Sequence, residues 1–353
     1  MNFASQLMYF DQLPDIETIS AQVYHSQPRE FVLIYAEELL EFSAAQNWIQ
    51  AFQLKYQVKS GEKLKSVENF PRHIQNLLQL LKGVNPKQLT FVCLGGGSVG
   101  DFGGFVASIY KRGVDLIHIP STWLAAIDSA HGGKTALNVG SVKNQIGSFY
   151  PAQAVILVKD LFSTLGDEPV RSSLGELIKI GIVNSPDLLE FMLHNEQPPE
   201  EYLWQLLPQA IAAKMKIVVS DPYEKSGLRQ QLNLGHTFGH VLETICGWPH
   251  GWSIAQGIYF SLHWSFNKGF MAEEEYTKLL NFLTRFFTQK CGPQGEPLPL
   301  LIPDNVLKIF ASDKKQTAHA KYNFIFICEV GKVCIREVTE QEFLQELKRQ
   351  GWF

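Results

Sequence analysis

Cysteine is scarce and scattered in this chain of 353 residues: Cys93, Cys246, Cys291, Cys328 and Cys334 form no C-x-x-C pair. An odd number at such spacing argues against a disulfide framework and for the reduced thiols of a cytoplasmic protein. Positive charge is not in excess either, since 31 Lys and Arg face 35 Asp and Glu for a net charge of −4. Such a balance gives no general field for nucleic acid, while a local basic pocket for an anionic metabolite stays compatible with it. No apolar run is long and unbroken enough to span a bilayer. The start, "MNFASQLMYFDQLPD", lacks a basic n-region and is interrupted by Asp11 and Asp15, so no signal peptide is expected. Internal repeats and low-complexity linkers are missing as well.

What remains is an ordinary globular composition, 45% hydrophobic and 19% charged, at a length that calls for two cores. The first part alternates strand-like runs ("FVLIYA", "QLTFVCL", "DLIHIP", "AVILVKD") with amphipathic helices ("SVENFPRHIQNLLQLLKG", "GDFGGFVASIYKRG"). That order predicts a parallel sheet covered by helices. From about Leu165 the pattern turns helical, through "VRSSLGELIKIGIV", "LWQLLPQAIAAKMKIVVSD", "LNLGHTFGHVLETI", "SIAQGIYFSLHWSFNKGF" and "EEEYTKLLNFLTRFF". Near the end "NFIFICEV" and "KVCIREV" predict a hairpin turning at Gly331. We therefore expect an α/β domain over residues 1–164 and a mainly helical domain over residues 165–353.

Three motifs carry chemistry. "LGGGSVGD" follows a strand and opens a helix, and Gly95, Gly97 and Gly100 satisfy G-x-G-x-x-G. Glycines there let the backbone approach a pyrophosphate where free N–H groups and the helix dipole favour an anion. "HGGKT" and "SVKNQIGSFYP" set Lys134 and Lys143 in glycine-containing loops, with Asp128 and Asn144 alongside, which suits phosphate or carboxylate binding.

The third motif is "NLGHTFGH". His236 and His240 share a helix face, and "HGW" returns His250 in a loop soon after. Three histidines within fifteen residues suit zinc, whose catalytic sites take three protein ligands and leave one position open. Thr237 stands where a zinc protease of the HExxH type has its general-base glutamate, which argues against that chemistry. A further ligand is available from "GELIK", where Glu176 and Lys179 lie one turn apart.

In this order, "GEKLKS", "GGGSVGDFGGFVASIYKRG", "PSTWLAAIDSAHGGKTALN", "KNQIGSFY", "GELIK", "GLRQQLNLGHTFGH", "HG" and "DKK" resemble the 3-dehydroquinate synthase family of sugar-phosphate cyclases. The resemblance implies a Rossmann-like NAD-binding N-terminal domain and a helical, metal-binding C-terminal domain. It implies a carbon–oxygen lyase that cyclises a sugar phosphate through a transient NAD-dependent oxidation, and a homodimer with no nucleic-acid or membrane partner. Zinc, with cobalt as the alternative, would be held by Glu176, His236 and His250, leaving His240 to face the substrate. NAD would contact Glu62, Lys65, Gly96, Gly97, Ser98, Asp101, Ser121, Thr122, Lys143 and Thr164. Catalytic positions would be Asp128, Lys134, Asn144, Lys179 and His240. Substrate would also meet Lys214, Glu224, Arg229, Asn233 and Lys315, with Arg112 reaching the phosphate from a partner subunit.

The chain departs from the family pattern at Trp252, where a glutamate usually follows "HG", so His250 is expected to be oriented by other groups. "DPYEKSGLR" carries an apparent insertion near Glu224, and "SVKN" replaces "GKN". Two rival activities and one non-catalytic class share parts of the pattern. Another cyclase, of inosose or valiolone synthase type, has no need of a carboxylate-binding Arg229. A metal-dependent polyol or alcohol dehydrogenase has no need of Arg112, Lys134 and Asn144 to bind phosphate. A non-catalytic homologue has no need to retain the three metal ligands.

Overall fold

Every residue of the run Leu89–Gly95 is buried, which requires cover on both faces of the sheet it joins. The computed structural model describes residues 3–140, 142–163, 165–313 and 321–353, and the chain divides into the units Met1–Leu165 and Gly166–Phe353. In the first unit the elements are β1 (Gln6–Phe10), α1 (Ile16–Tyr24), β2 (Glu30–Ala36), α2 (Ser43–Gln50), β3 (Leu54–Val58) and α3 (Phe70–Leu80). They continue with β4 (Leu89–Gly95), α4 (Gly97–Ile109), β5 (Asp115–Pro120), β6 (Lys134–Val139), β7 (Val142–Phe149) and β8 (Ala154–Val158).

Six strands form one parallel sheet in the order β1-β8-β5-β4-β2-β3. Successive strand residues point to opposite faces, so Val32, Ile34, Phe91 and Cys93 pack with Phe102 and Val106 of α4. Leu33, Tyr35, Val92, Leu94 and Ile117 fill a second cluster with Ile49 of α2. The direction of strand addition reverses between β2 and β4, and in open α/β sheets the crevice at the carboxyl ends of such strands takes ligands. Lys134 opens β6 and Lys143 lies on β7, so the segments expected to be loops form an antiparallel hairpin instead.

The second unit runs α5 (Asp167–Asn184), α6 (Pro186–His194), α7 (Pro199–Ser220), α8 (His236–Cys246), α9 (His250–Asn267) and α10 (Glu273–Thr284). Then follow α11 (Pro303–Asp313), β9 (Lys321–Glu329), β10 (Lys332–Thr339) and α12 (Glu340–Arg349). Residues 251 to 262 of α9 are all buried, as befits a helix packed on every side. α5, α8, α10 and β9 surround it. Phe260 and Trp264 of α9 pack with Phe343 of α12 and with Phe324 of β9. The hairpin β9–β10 turns at Gly331, whose φ is 86°. Among the described residues no helix is long and apolar enough to cross a membrane.

Candidate functional site

Glu176 sits in the middle of α5 with no exposed surface, while His236 opens α8 and His250 opens α9. His250 is therefore the first residue of a helix, entered from Pro249, and not a loop residue as its spacing suggested. α5 and α9 touch where neither carries a side chain. A Cβ on Gly175 would lie 1.8 Å from the carbonyl oxygen of Gly251, and one on Gly251 would lie 1.7 Å from that of Ser172. The residues next to these two glycines are Glu176 and His250.

Glu176 Oε1 lies 3.3 Å from His236 Nε2 and 3.3 Å from His250 Nε2. Lys179, one turn further along α5 and buried, brings its ammonium against Glu176 Oε2. Neither carboxylate oxygen accepts a well-formed hydrogen bond among the described residues. A tetrahedral metal with ligands at about 2.0–2.1 Å holds its ligand atoms roughly 3.3–3.4 Å apart, which matches the 3.3 Å from Glu176 Oε1 to each histidine. Two imidazole nitrogens and one carboxylate are also the donor set of a His₂Glu catalytic zinc. The residues fit a divalent metal. His240 stands one turn after His236, and ligand nitrogens of His236, His240 and His250 lie within 4.8 Å of one another.

Charge in the cluster favours a cation. Burial pushes His236 down to about 4 against the attraction of Glu176, leaving a neutral ring of the kind a metal needs. Burial acts in the same direction on His250, but the Glu176 and Glu243 carboxylates beside it outweigh burial and raise the ring to about 10. A proton on that ring and a metal at Nε2 answer the same negative surroundings. For Glu176 burial raises the carboxyl, and Lys179 and His236 nevertheless hold it well below its ordinary value. Glu243 Oε2 is 2.9 Å from His250 Nδ1. Trp252, by contrast, is a core residue: its Nε1 donates to Cys291 O at 2.8 Å and its ring meets Phe287 edge-on at 5.0 Å.

In the first unit a cavity of about 560 Å³ opens at the carboxyl ends of β2 and β4. Gly96, Gly97, Ser98, Ser121 and Thr122 line it. Beside it Lys65, 4% exposed, places Nζ 2.6 Å from Asp101 Oδ2 and 2.7 Å from Asn144 Oδ1. Asn138 closes the network, donating to Glu62 Oε2 at 2.7 Å and accepting from the Asn144 backbone N–H at 2.9 Å. Burial raises the Asp101 carboxyl, opposed by Lys65 and reinforced by Glu62 and Asp128. Asp128 sits half-buried on one π-helical turn, Ala125–Ser129, and Lys134 and Lys143 are exposed on β6 and β7. Thr164 and Lys315 lie outside the described residues.

Seven non-glycine residues have left-handed backbones among those described, and three are Arg112 (φ 72°), Asn144 (φ 55°) and Glu224 (φ 58°). Such conformations cost on the order of 1 kcal/mol or more and concentrate at functional positions. Arg112 is exposed and makes no hydrogen bond or ion pair among the described residues. In the second unit Lys214 and Arg229 are buried cations. Arg229 donates from Nη1 to Pro222 O at 2.8 Å and from its backbone N–H to Asp221 Oδ2 at 3.1 Å. Asn233 ends the same 3₁₀ turn and reaches Glu224 Oε1 at 3.5 Å.

The N-terminal sequence profile of 3-dehydroquinate synthase matches residues 55–172, and the C-terminal profile matches residues 173–316. The chain belongs to the 3-dehydroquinate synthase family. The 3-dehydroquinate synthase of Alkaliphilus oremlandii is 35% identical over 308 residues, 84% of this chain and 81% of that protein. That of Campylobacter jejuni is 30% identical over 354 aligned positions, covering 97% of this chain and 95% of its own. A solved structure of 2-deoxy-scyllo-inosose synthase with carbaglucose-6-phosphate, NAD+ and Co2+ superposes with a TM-score of 0.82 at 22% identity. It covers 97% of this chain and 96% of that one, and establishes the shared fold.

In this member of the 3-dehydroquinate synthase family Glu38 and Glu41, which no motif marks, line the 560 Å³ cavity just after β2. Acidic residues directly after a buried strand of a dinucleotide-binding unit were the available signal. Glu243 is likewise outside every motif, although it shares a helix face with His236 and His240.

Proposed function

We propose that the chain cyclises 3-deoxy-D-arabino-heptulosonate 7-phosphate to 3-dehydroquinate with release of phosphate, as a carbon–oxygen lyase of the shikimate pathway. On this reading it works as a cytoplasmic homodimer with NAD and a divalent metal, zinc or cobalt. The observation that carries the reading is the convergence of Glu176, His236 and His250 at 3.3 Å separations in a chain whose two halves both belong to the family.

When bound, a divalent metal acidifies and orients neighbouring hydroxyls, and a nicotinamide accepts a hydride and returns it. Glu176, His236 and His250 hold the metal, and His240 stays beside them to move a substrate proton. Backbone N–H groups at Gly96, Gly97 and Ser98 serve the pyrophosphate at the start of α4. Ser121, Thr122, Glu62, Lys65, Asp101, Lys143 and Thr164 complete the dinucleotide site. Glu38 and Glu41 repel a 2′-phosphate, which selects NAD over NADP.

Lys134, Asn144 and Arg112 of the partner subunit hold the substrate phosphate through charge-assisted contacts. Arg229 takes the carboxylate, with Lys214, Glu224, Asn233 and Lys315 around it, and Asp128 and Lys179 act on the reacting hydroxyls. A small polar substrate offers charge rather than apolar area, so positioning falls to these groups. The test is product identification by NMR after incubation with NAD+ and Zn2+. 3-Dehydroquinate formed from the heptulosonate phosphate, with no turnover of glucose 6-phosphate or sedoheptulose 7-phosphate, is expected. Turnover confined to a substrate without a carboxylate would assign another cyclase activity.

A further inference from the structure

We infer that Glu243 is the positioning residue that makes His250 a metal ligand, an inference that rests on the metal reading above and extends it to a residue outside the ligand set. The two ring nitrogens of His250 face two different carboxylates. Nε2 faces Glu176 Oε1 at 3.3 Å, and Nδ1 lies 2.9 Å from Glu243 Oε2. A carboxylate oxygen accepts, so Nδ1 carries the proton and donates it. In the neutral ring the lone pair is then at Nε2, aimed where Glu176 and His236 converge.

His236 reaches the same state by another route. Its Nδ1 lies 3.2 Å from the carbonyl oxygen of Leu234, and a backbone carbonyl likewise only accepts. One histidine is thus fixed by main chain and the other by a side chain. Glu243 follows His236 by seven positions and His240 by three, so the three share one face of α8. Helix α8 accordingly supplies a ligand, the adjacent His240 and the carboxylate that orients the ligand of α9. The side chains of Glu243 and His250 are only 17% and 29% exposed, which shields their bond from water. Trp252, where the family pattern has a carboxylate, is committed to Cys291 and Phe287.

The experiment uses full-length wild type, Glu243→Gln, Glu243→Ala and His250→Ala, each stripped with a chelator. Zn2+ affinity is measured by competition with a chromophoric chelator, Co2+ binding by its visible absorption, and folding of the stripped proteins by circular dichroism. Glu243→Ala should weaken Zn2+ by about 10–100-fold and alter the Co2+ spectrum. Glu243→Gln, which keeps an acceptor oxygen without the charge, should fall between Glu243→Ala and wild type, and serves as the folded variant if Glu243→Ala does not fold. Affinity within about twofold of wild type, or lower stability with an unchanged Co2+ spectrum, overturns the role of Glu243 while His250→Ala still loses the metal. Full zinc retention by His250→Ala overturns the metal reading, and this inference with it.

Discussion

Gly175 and Gly251 meet backbone to backbone: a Cβ on Gly175 would stand 1.8 Å from the carbonyl oxygen of Gly251. No rotamer relieves that clash, because its partner is main chain. Gly175→Ala must therefore push α5 from α9 and draw Glu176 away from His250. We expect a stability loss of about 1–3 kcal/mol, as for other overpacked cores, together with weaker Zn2+ binding. Denaturant melts of the stripped protein and a zinc titration check both. Unchanged values would mean that the two helices slide freely.

Lys65 ties Asp101 to Asn144 through contacts of 2.6 and 2.7 Å. Lys65→Met keeps the bulk and removes the charge, leaving Asp101 short of its partner. The expected cost is about 1.5–3 kcal/mol of stability, the range for a hydrogen bond to a charged group. NAD+ affinity, followed by fluorescence titration, should fall as well. A loss of stability with unchanged NAD+ affinity would make the network purely structural.

Arg112 holds a left-handed backbone, and its exposed guanidinium makes no ion pair among the described residues; on the proposed reading it serves the phosphate of another subunit. Arg112→Ala and Lys134→Ala should each lower kcat/KM by about one to two decades, from the loss of a charge-assisted contact. If the chain forms the proposed homodimer, mixing the two weakened variants under exchange should restore roughly a quarter of wild-type activity, because half of the dimers then carry one intact site. No recovery would place Arg112 in the same subunit as its phosphate.

Asp221 accepts backbone hydrogen bonds from Lys225, Ser226 and Arg229 at 2.8, 3.1 and 3.1 Å. Burial alone would raise its carboxyl; the bonds from Arg229, Ser226 and Lys225 instead lower it from 3.8 to about 2. A group depressed by folding stabilises fully above its unfolded value and loses that contribution as the pH falls through the folded value. Wild type should thus exceed Asp221→Asn in stability above about pH 4, with the gap closing toward pH 2. Melting both proteins across that window is the check, and a pH-independent gap would contradict it.

Much of the fold was legible because buried parallel strands and helical stretches differ in period. The runs "QLTFVCL" and "DLIHIP" became β4 and β5, and "NFIFICEV" with "KVCIREV" became β9 and β10. The edge strands β1 and β3 escaped notice, since "QLMYF" and "LKYQV" are short and only partly buried. The hairpin β6–β7 read as loop because β7 is mostly exposed and rich in polar residues and glycine. Within the site, the histidines and glycine turn declared themselves by spacing. Trp252 stood out as a departure after "HG", but Glu243 did not: which carboxylate faces a ring nitrogen of His250 depends on the α8–α9 packing, which no spacing encodes.

In the proposed reaction NAD+ is used and regenerated within each turnover. The direct measurement records phosphate release and absorbance at 340 nm together, with the heptulosonate phosphate in large excess over NAD+ and the enzyme loaded with Zn2+. On the proposed reaction a reduced cofactor would be needed again after phosphate leaves, so it would stay bound through the cycle. Phosphate should then appear continuously, far beyond the NAD+ supplied, with no net rise at 340 nm. Phosphate that stops at one equivalent of NAD+, or NADH that accumulates in step with turnover, would contradict the account.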